Sequence, residues 1–161
     1  VEVVRNTPLT LVFFFVVFVL PRLGAILPFF VSALVALSVY TAAFVCEAVR
    51  SGINSVGIGQ SEAARSIGLT FGQSLRLIVL PQALRSVVPP LISVFIALTK
   101  NSSIAGVFFV GELFNVGRRL ATDNPDAVVA VLLGVAFFYL LITVPAGVLA
   151  ARLERRVAFA R

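Results

Sequence analysis

Histidine is absent from the 161 residues, cysteine and lysine occur once each, and charged side chains make up only 12% of the chain. Without histidine there is no Ser–His pair, and no Cys/His/carboxylate cluster has metal-ligand spacing. No G-x-S-x-G elbow is present either. Cys46 has no intrachain partner and lies in an apolar run, so it is expected to act as a small buried hydrophobe. The single lysine, Lys100, precedes Asn101 and has no glycine-rich approach, which excludes a phosphate-cradling loop. An intramembrane enzyme would need carboxylates at mid-membrane, whereas Glu47, Glu112 and Asp126 are expected near helix ends.

What the chain has in excess is apolar surface. Hydrophobic residues reach 60% and mean hydropathy is +1.08, against about 45–50% apolar residues in a soluble domain. A soluble core this small could not hide that excess, but a bilayer solvates it, so an all-α integral membrane protein is expected. The net charge of +6 is spread between and after apolar segments, with no basic–aromatic motif, which excludes nucleic-acid binding.

Four apolar segments stand out: Leu9–Leu20, Ile26–Cys46, Pro81–Thr99 and Ala127–Leu149. The first is short for a span and must borrow flanking residues, tilt or thin the bilayer. Its phenylalanines, Phe13 to Phe15 and Phe18, read as packing or lipid-facing surface. Proline is expected to interrupt the third segment at Pro89-Pro90. Ile104–Asp126, rich in glycine and phenylalanine, reads as irregular and partly embedded. The chain opens at Val1 in mid-pattern, which reads as a fragment. Arg50, Arg65, Arg76 and Arg85 flank or fill the loop at 51–80, and Arg152, Arg155, Arg156 and Arg161 crowd the tail. Arg22, Lys100, Arg118 and Arg119 on the other side are offset by Glu112, Asp123 and Asp126. The arginine-rich side is expected to be cytoplasmic, with the C-terminus and Arg5.

The 51–80 loop predicts two short helices. Gly59–Ile67 is closed by Gly68 as a C′ residue, with Glu62 near the positive end of the helix dipole. Thr70 and Gln73 form a capping box for the second helix, which Pro81 is expected to stop. Pattern alone fits either docking into a groove on another protein or a hairpin lying on the bilayer.

The same loop carries the E-A-A fingerprint: Glu62-Ala63-Ala64, three residues, Gly68, nine residues, Ile78, one residue, Leu80-Pro81. Seven such matches arise by chance about once in 10⁸ starting positions. The chain thereby resembles the permease subunits of binding-protein-dependent ABC importers. "VEVVRNTPLT", with Asn6 where glycine is usual, and the Leu98–Ser103 segment are similar to the polar amino-acid branch, most of all to actinobacterial glutamate permeases.

The resemblance implies a type I importer transmembrane domain with a five-helix core, here lacking the first helix. It also implies a coupling helix in the loop, carried by Glu62, Ala63, Ala64, Gly68, Ile78, Leu80 and Pro81. The implied partners are an ATPase subunit that binds ATP and Mg, an extracytoplasmic amino-acid-binding protein and a second, identical or different permease subunit in the plasma membrane. This chain would bind no cofactor itself. A secondary transporter is the alternative; it would show repeats or paired broken helices, and only Pro89-Pro90 hints at one. Lys100, Asn101 and Ser102, followed by Ser103, supply donors for a carboxylate, with Arg5, Asn6 and Thr7 near the opposite mouth. The competing reading makes Lys100 a snorkelling interfacial anchor. Ser38, Tyr40 and Thr41 fit either the pathway or hydrogen bonding between spans.

Overall fold

The computed structural model describes residues 1–158 and is built from helices, with no strand among the described residues. A short α1 (Glu2–Arg5) leads into α2 (Leu9–Phe14), which continues through a π-helical turn at Phe15–Val19 and a 3-10 turn at Leu20–Leu23. Then come α3 (Phe29–Asn54) and a surface helix, α4 (Ile58–Ser66). Next, α5 (Phe71–Ser74), a second π turn (Leu75–Val79), α6 (Leu80–Asn101) and α7 (Ser103–Val107) follow as one apolar helical run, Phe71–Val107. The last two helices are α8 (Leu113–Asp123) and α9 (Val128–Ala158). Arg161, counted above in the basic tail, lies outside the described residues.

Three helical runs are long and apolar enough to cross a membrane: Phe29–Asn54, Phe71–Val107 and Pro125–Leu153. The segment read as a fourth span remains a shorter helix, Leu9–Leu23. At a rise of about 1.5 Å per residue it falls short of about 30 Å of hydrocarbon.

The prolines behave differently from the sequence expectation. Pro81 does not end the helix, and α6 runs unbroken across Pro89 and Pro90. A proline removes one N–H and crowds the carbonyl four residues earlier. For Pro81 that carbonyl belongs to Leu77, inside the π turn Leu75–Val79; for Pro21 it belongs to Val17, inside the π turn Phe15–Val19. The widened turn lets the chain absorb the missing bond without stopping. Likewise α3 continues to Asn54, placing Glu47 and Arg50 within the helix rather than beyond it.

Packing relies on small residues. Ala33, Ala36, Ala43, Ala48 and Gly52 make up most of the buried side of α3, which packs against α6, as α6 does against α9. Small side chains let helix backbones approach where no hydrophobic drive exists between helix and lipid. A Cβ on Gly52 would overlap the Val87 side chain, so this α3–α6 crossing requires glycine.

The largest buried cluster surrounds Phe13, fully enclosed and stacked on Phe108 with ring centroids 5.0 Å apart. Phe14 meets the same ring edge-on, while Phe14, Phe15 and Phe18 keep one side exposed. The phenylalanines are therefore packing and outward-facing surface, as expected. Cys46 is not buried; it is exposed on α3, because the buried stripe of that helix is taken by the alanines.

Candidate functional site

The E-A-A fingerprint folds into a self-capped helical hairpin. Ile67 ends α4, and Gly68 then takes φ +88, a left-handed conformation that glycine adopts without strain. The Gly68 N–H donates to the Arg65 carbonyl at 3.0 Å and the Leu69 N–H to the Ala64 carbonyl at 3.1 Å. This is the paired bonding of a Schellman closure. Two residues on, the Thr70 N–H donates to Gln73 Oε1 at 2.9 Å and the Gln73 N–H to Thr70 Oγ1 at 3.4 Å, completing the expected capping box. Glu62 does not sit in the first turn of α4, which begins at Ile58 and contains no acidic residue, so the expected dipole interaction is absent.

The fingerprint residues divide by position. Ala64 is buried, where α4 packs on α5 and the second π turn. Glu62 and Ala63 face outward, Ile78 is half-buried, and Leu80 and Pro81 lie where the π turn joins α6. Around α4 the hairpin exposes three large apolar side chains, Ile58 at 76%, Ile67 at 79% and Phe71 at 80%. The sequence reading did not single out Ile58 or Ile67, since two isolated isoleucines carry no periodic signal.

A cavity of about 370 Å³ lies between α3 and α6, lined by Tyr40, Thr41 and Phe44 facing Ser93, Ala97 and Asn101 among others. Its hydroxyl and amide groups sit among apolar walls, a lining suited to a small polar solute. Asn101 is half-buried and makes no side-chain hydrogen bond among the described residues. Lys100, one residue earlier, points elsewhere. It lines a second cavity of about 360 Å³ with Ser103, Phe114, Ala136 and Tyr139, between α6, α8 and α9. The Ser102 and Ser103 hydroxyls donate to the carbonyls of Thr99 and Lys100, so their donors serve the helix itself.

Arg5, Asn6 and Thr7 are not gathered with these residues. Asn6 Nδ2 and Thr7 Oγ1 donate to the Glu2 and Val3 carbonyls and finish α1. Arg5 instead forms an ion pair with Glu47 of α3 at 3.0 Å.

The segment read as irregular holds a capped helix. Glu112 accepts from the Phe114 and Asn115 N–H groups at the start of α8 and from the Tyr139 hydroxyl of α9 at 3.1 Å. Buried Asn115 donates to the Gly106 carbonyl, joining α8 to α7. Phe109 takes φ +68 in the turn between them, a strained geometry for a bulky residue. This network was missed because its partners are spread from Gly106 to Tyr139.

The sequence of residues 1–159 matches the family described as binding-protein-dependent transport system inner membrane component. The chain belongs to that family. It is 45% identical to the probable glutamine ABC transporter permease protein GlnM of Bacillus subtilis, over 98% of this chain and 72% of that protein. It is 40% identical to the glutamate transport system permease protein GluC of Corynebacterium glutamicum, over 98% of this chain and 75% of that protein. A solved amino acid ABC transporter, crystallised with histidines, matches with a TM-score of 0.86 and 31% identity, covering 96% of this chain and 72% of that one. The chain thus has the all-helical transmembrane fold of ABC importer permeases, and it is a multi-pass membrane subunit rather than a catalytic enzyme.

Proposed function

We propose that this permease moves polar amino acids inward, glutamate first among them, driven by ATP and Mg bound on a separate ATPase subunit. An extracytoplasmic binding protein delivers the solute, and a second permease subunit, identical or different, completes the pathway. The hairpin and the C-terminus face the cytoplasm in this reading, as the arginine distribution favours. The observation that carries it is the hairpin: a short helix locked by its own caps, bare on its outer side, and packed on the foot of the Phe71–Val107 run. A partner that shifts α4 pushes on a continuous helical rod whose far part lines the α3–α6 cavity. Glu62, Ala63 and the exposed Ile58, Ile67 and Phe71 meet the ATPase; Ala64, Gly68, Ile78, Leu80 and Pro81 transmit the movement.

The solute passes by the α3–α6 cavity, where Asn101 supplies an unused amide. Lys100, at the opposite end of α6 from the hairpin, raises the local concentration of an anionic solute from the neighbouring cavity. Competitive uptake of glutamate, glutamine, histidine and arginine in cells lacking other carriers tests the substrate. Glutamate and glutamine should compete best. Lys100→Gln should lower glutamate uptake at sub-saturating concentration about five-fold, the effect of one charge near a protein surface, and affect glutamine less. Strongest competition by arginine or histidine contradicts the assignment. Uptake independent of ATP would favour the secondary-transporter alternative.

A further inference from the structure

We infer that Arg5 and Glu47 form a split-able binding site for the zwitterionic head of an α-amino acid, one helical turn beyond the α3–α6 cavity. The inference rests on the importer reading above. Three observations carry it. Tyr40, Phe44 and Glu47 follow one another along α3 at spacings of four and three, so they share a face, and Tyr40 and Phe44 already line the cavity. Glu47 therefore lies about 10 Å along the same stripe from Tyr40, toward the hairpin end of the helix. The Arg5–Glu47 pair, at 3.0 Å, is the one ion pair found among the described residues, and its side chains are 33% and 36% exposed, so neither charge is sealed off. Arg5 sits on the short α1, whose C-terminal end is closed by Asn6 and Thr7, so this pair ties α1 to α3 by side chains that can part.

Charges within a span pair with one another or with polar groups, so parting Arg5 from Glu47 has a cost unless each finds a new partner. A zwitterion avoids that cost. Its α-carboxylate takes the planar guanidinium of Arg5 in bidentate fashion while its α-ammonium takes the carboxylate of Glu47, so no charge is left unpaired at any stage. When the solute leaves, Arg5 and Glu47 close on each other again. The arrangement selects for the α-amino-acid head and is indifferent to the side chain. A solute lacking the ammonium strands Glu47 and is rejected.

The test is equilibrium binding of radiolabelled L-glutamate and L-glutamine to the permease–ATPase complex in nanodiscs, without binding protein, so that the binding protein's own site does not contribute. Glutarate, which lacks the ammonium, is the competitor. In the wild type glutarate should compete poorly. Glu47→Gln should weaken binding of the amino acid by about 10-fold or more, the loss of a charge-assisted hydrogen bond, and narrow its advantage over glutarate. The neutral pair, Arg5→Gln with Glu47→Gln, keeps two side chains that can hydrogen-bond between the helices but offers the zwitterion no charge. It should keep its thermal stability and lose amino-acid binding by about 10-fold or more. Wild-type binding in the neutral variant means the pair is only a strut and overturns the inference, leaving the importer reading intact. Absence of amino-acid binding and of ATP-driven uptake in the wild type overturns both.

Discussion

Replacing Gly68 with proline should reduce ATP-driven uptake to background while the protein still inserts into the membrane. Gly68 holds φ +88, and proline is confined to about −65°. Proline also lacks the N–H that bonds the Arg65 carbonyl, so the closure of α4 loses one of its two bonds as well as its geometry. No heavy atom within 4 Å would meet an added Cβ, so Gly68→Ala suffers only the backbone cost, about 1 kcal/mol, and should transport nearly normally. That contrast separates the turn from simple crowding. Glu62→Lys probes the outer face. Glu62 is exposed and makes no ion pair among the described residues, so its reversal leaves the hairpin's own bonding intact. Loss of uptake of about 10-fold or more in this variant must then arise at the partner, where a reversed charge desolvated in an interface costs several kcal/mol. A hairpin lying on anionic lipid would bind better with the added lysine and transport unchanged. Uptake rates beside membrane insertion and ATPase co-purification decide between them.

Ala97→Trp should stop transport by filling the α3–α6 cavity. Ala97 lines that space of about 370 Å³ opposite Tyr40 and Thr41. An indole there both occupies it and overpacks the contact between the two helices, a strain of about 1–3 kcal/mol that a long apolar helix tolerates. Ala136→Trp is the matched control, since Ala136 lines the other cavity, with Lys100 and Tyr139. We expect uptake to fall by about 10-fold or more for Ala97→Trp and to persist for Ala136→Trp, with both variants still purifying with the ATPase. The reverse pattern would move the route to the α6–α8–α9 side and make Lys100 its lining residue.

The contrast between these sites and the hairpin shows what a single sequence makes legible. Gly68 and Thr70-x-x-Gln73 act through bonds within a few residues, so their caps could be read directly. Pro81 was misread because the rule for proline is local, while the chain answers it by widening the preceding turn at Leu75–Val79. The end of α3 was misplaced because hydropathy marks where polarity changes, and Glu47 is polar yet lies inside the helix, paired with Arg5. Gly106 and Gly117 suggested an irregular segment, yet a Cβ at either would overlap a neighbouring side chain, Glu112 or Val135 respectively. They are close-approach glycines within helices. Tyr40, Thr41 and Asn101 were each open as pathway residues, but their sharing one cavity was not legible, because they line it together only where α3 packs on α6, a pairing no local pattern encodes.

Cross-linking from α4 decides whether the hairpin is the contact with the ATPase. In a Cys46→Ser background, a cysteine at exposed Ala63 should form a specific cross-link to the ATPase subunit in the assembled transporter, and the link should block uptake. In intact cells the same cysteine should resist an impermeant thiol reagent, while one at Asn124 reacts. Labelling of the Ala63 position from outside, or an assembled, active transporter in which it never reaches the ATPase, would rule out α4 as the coupling helix.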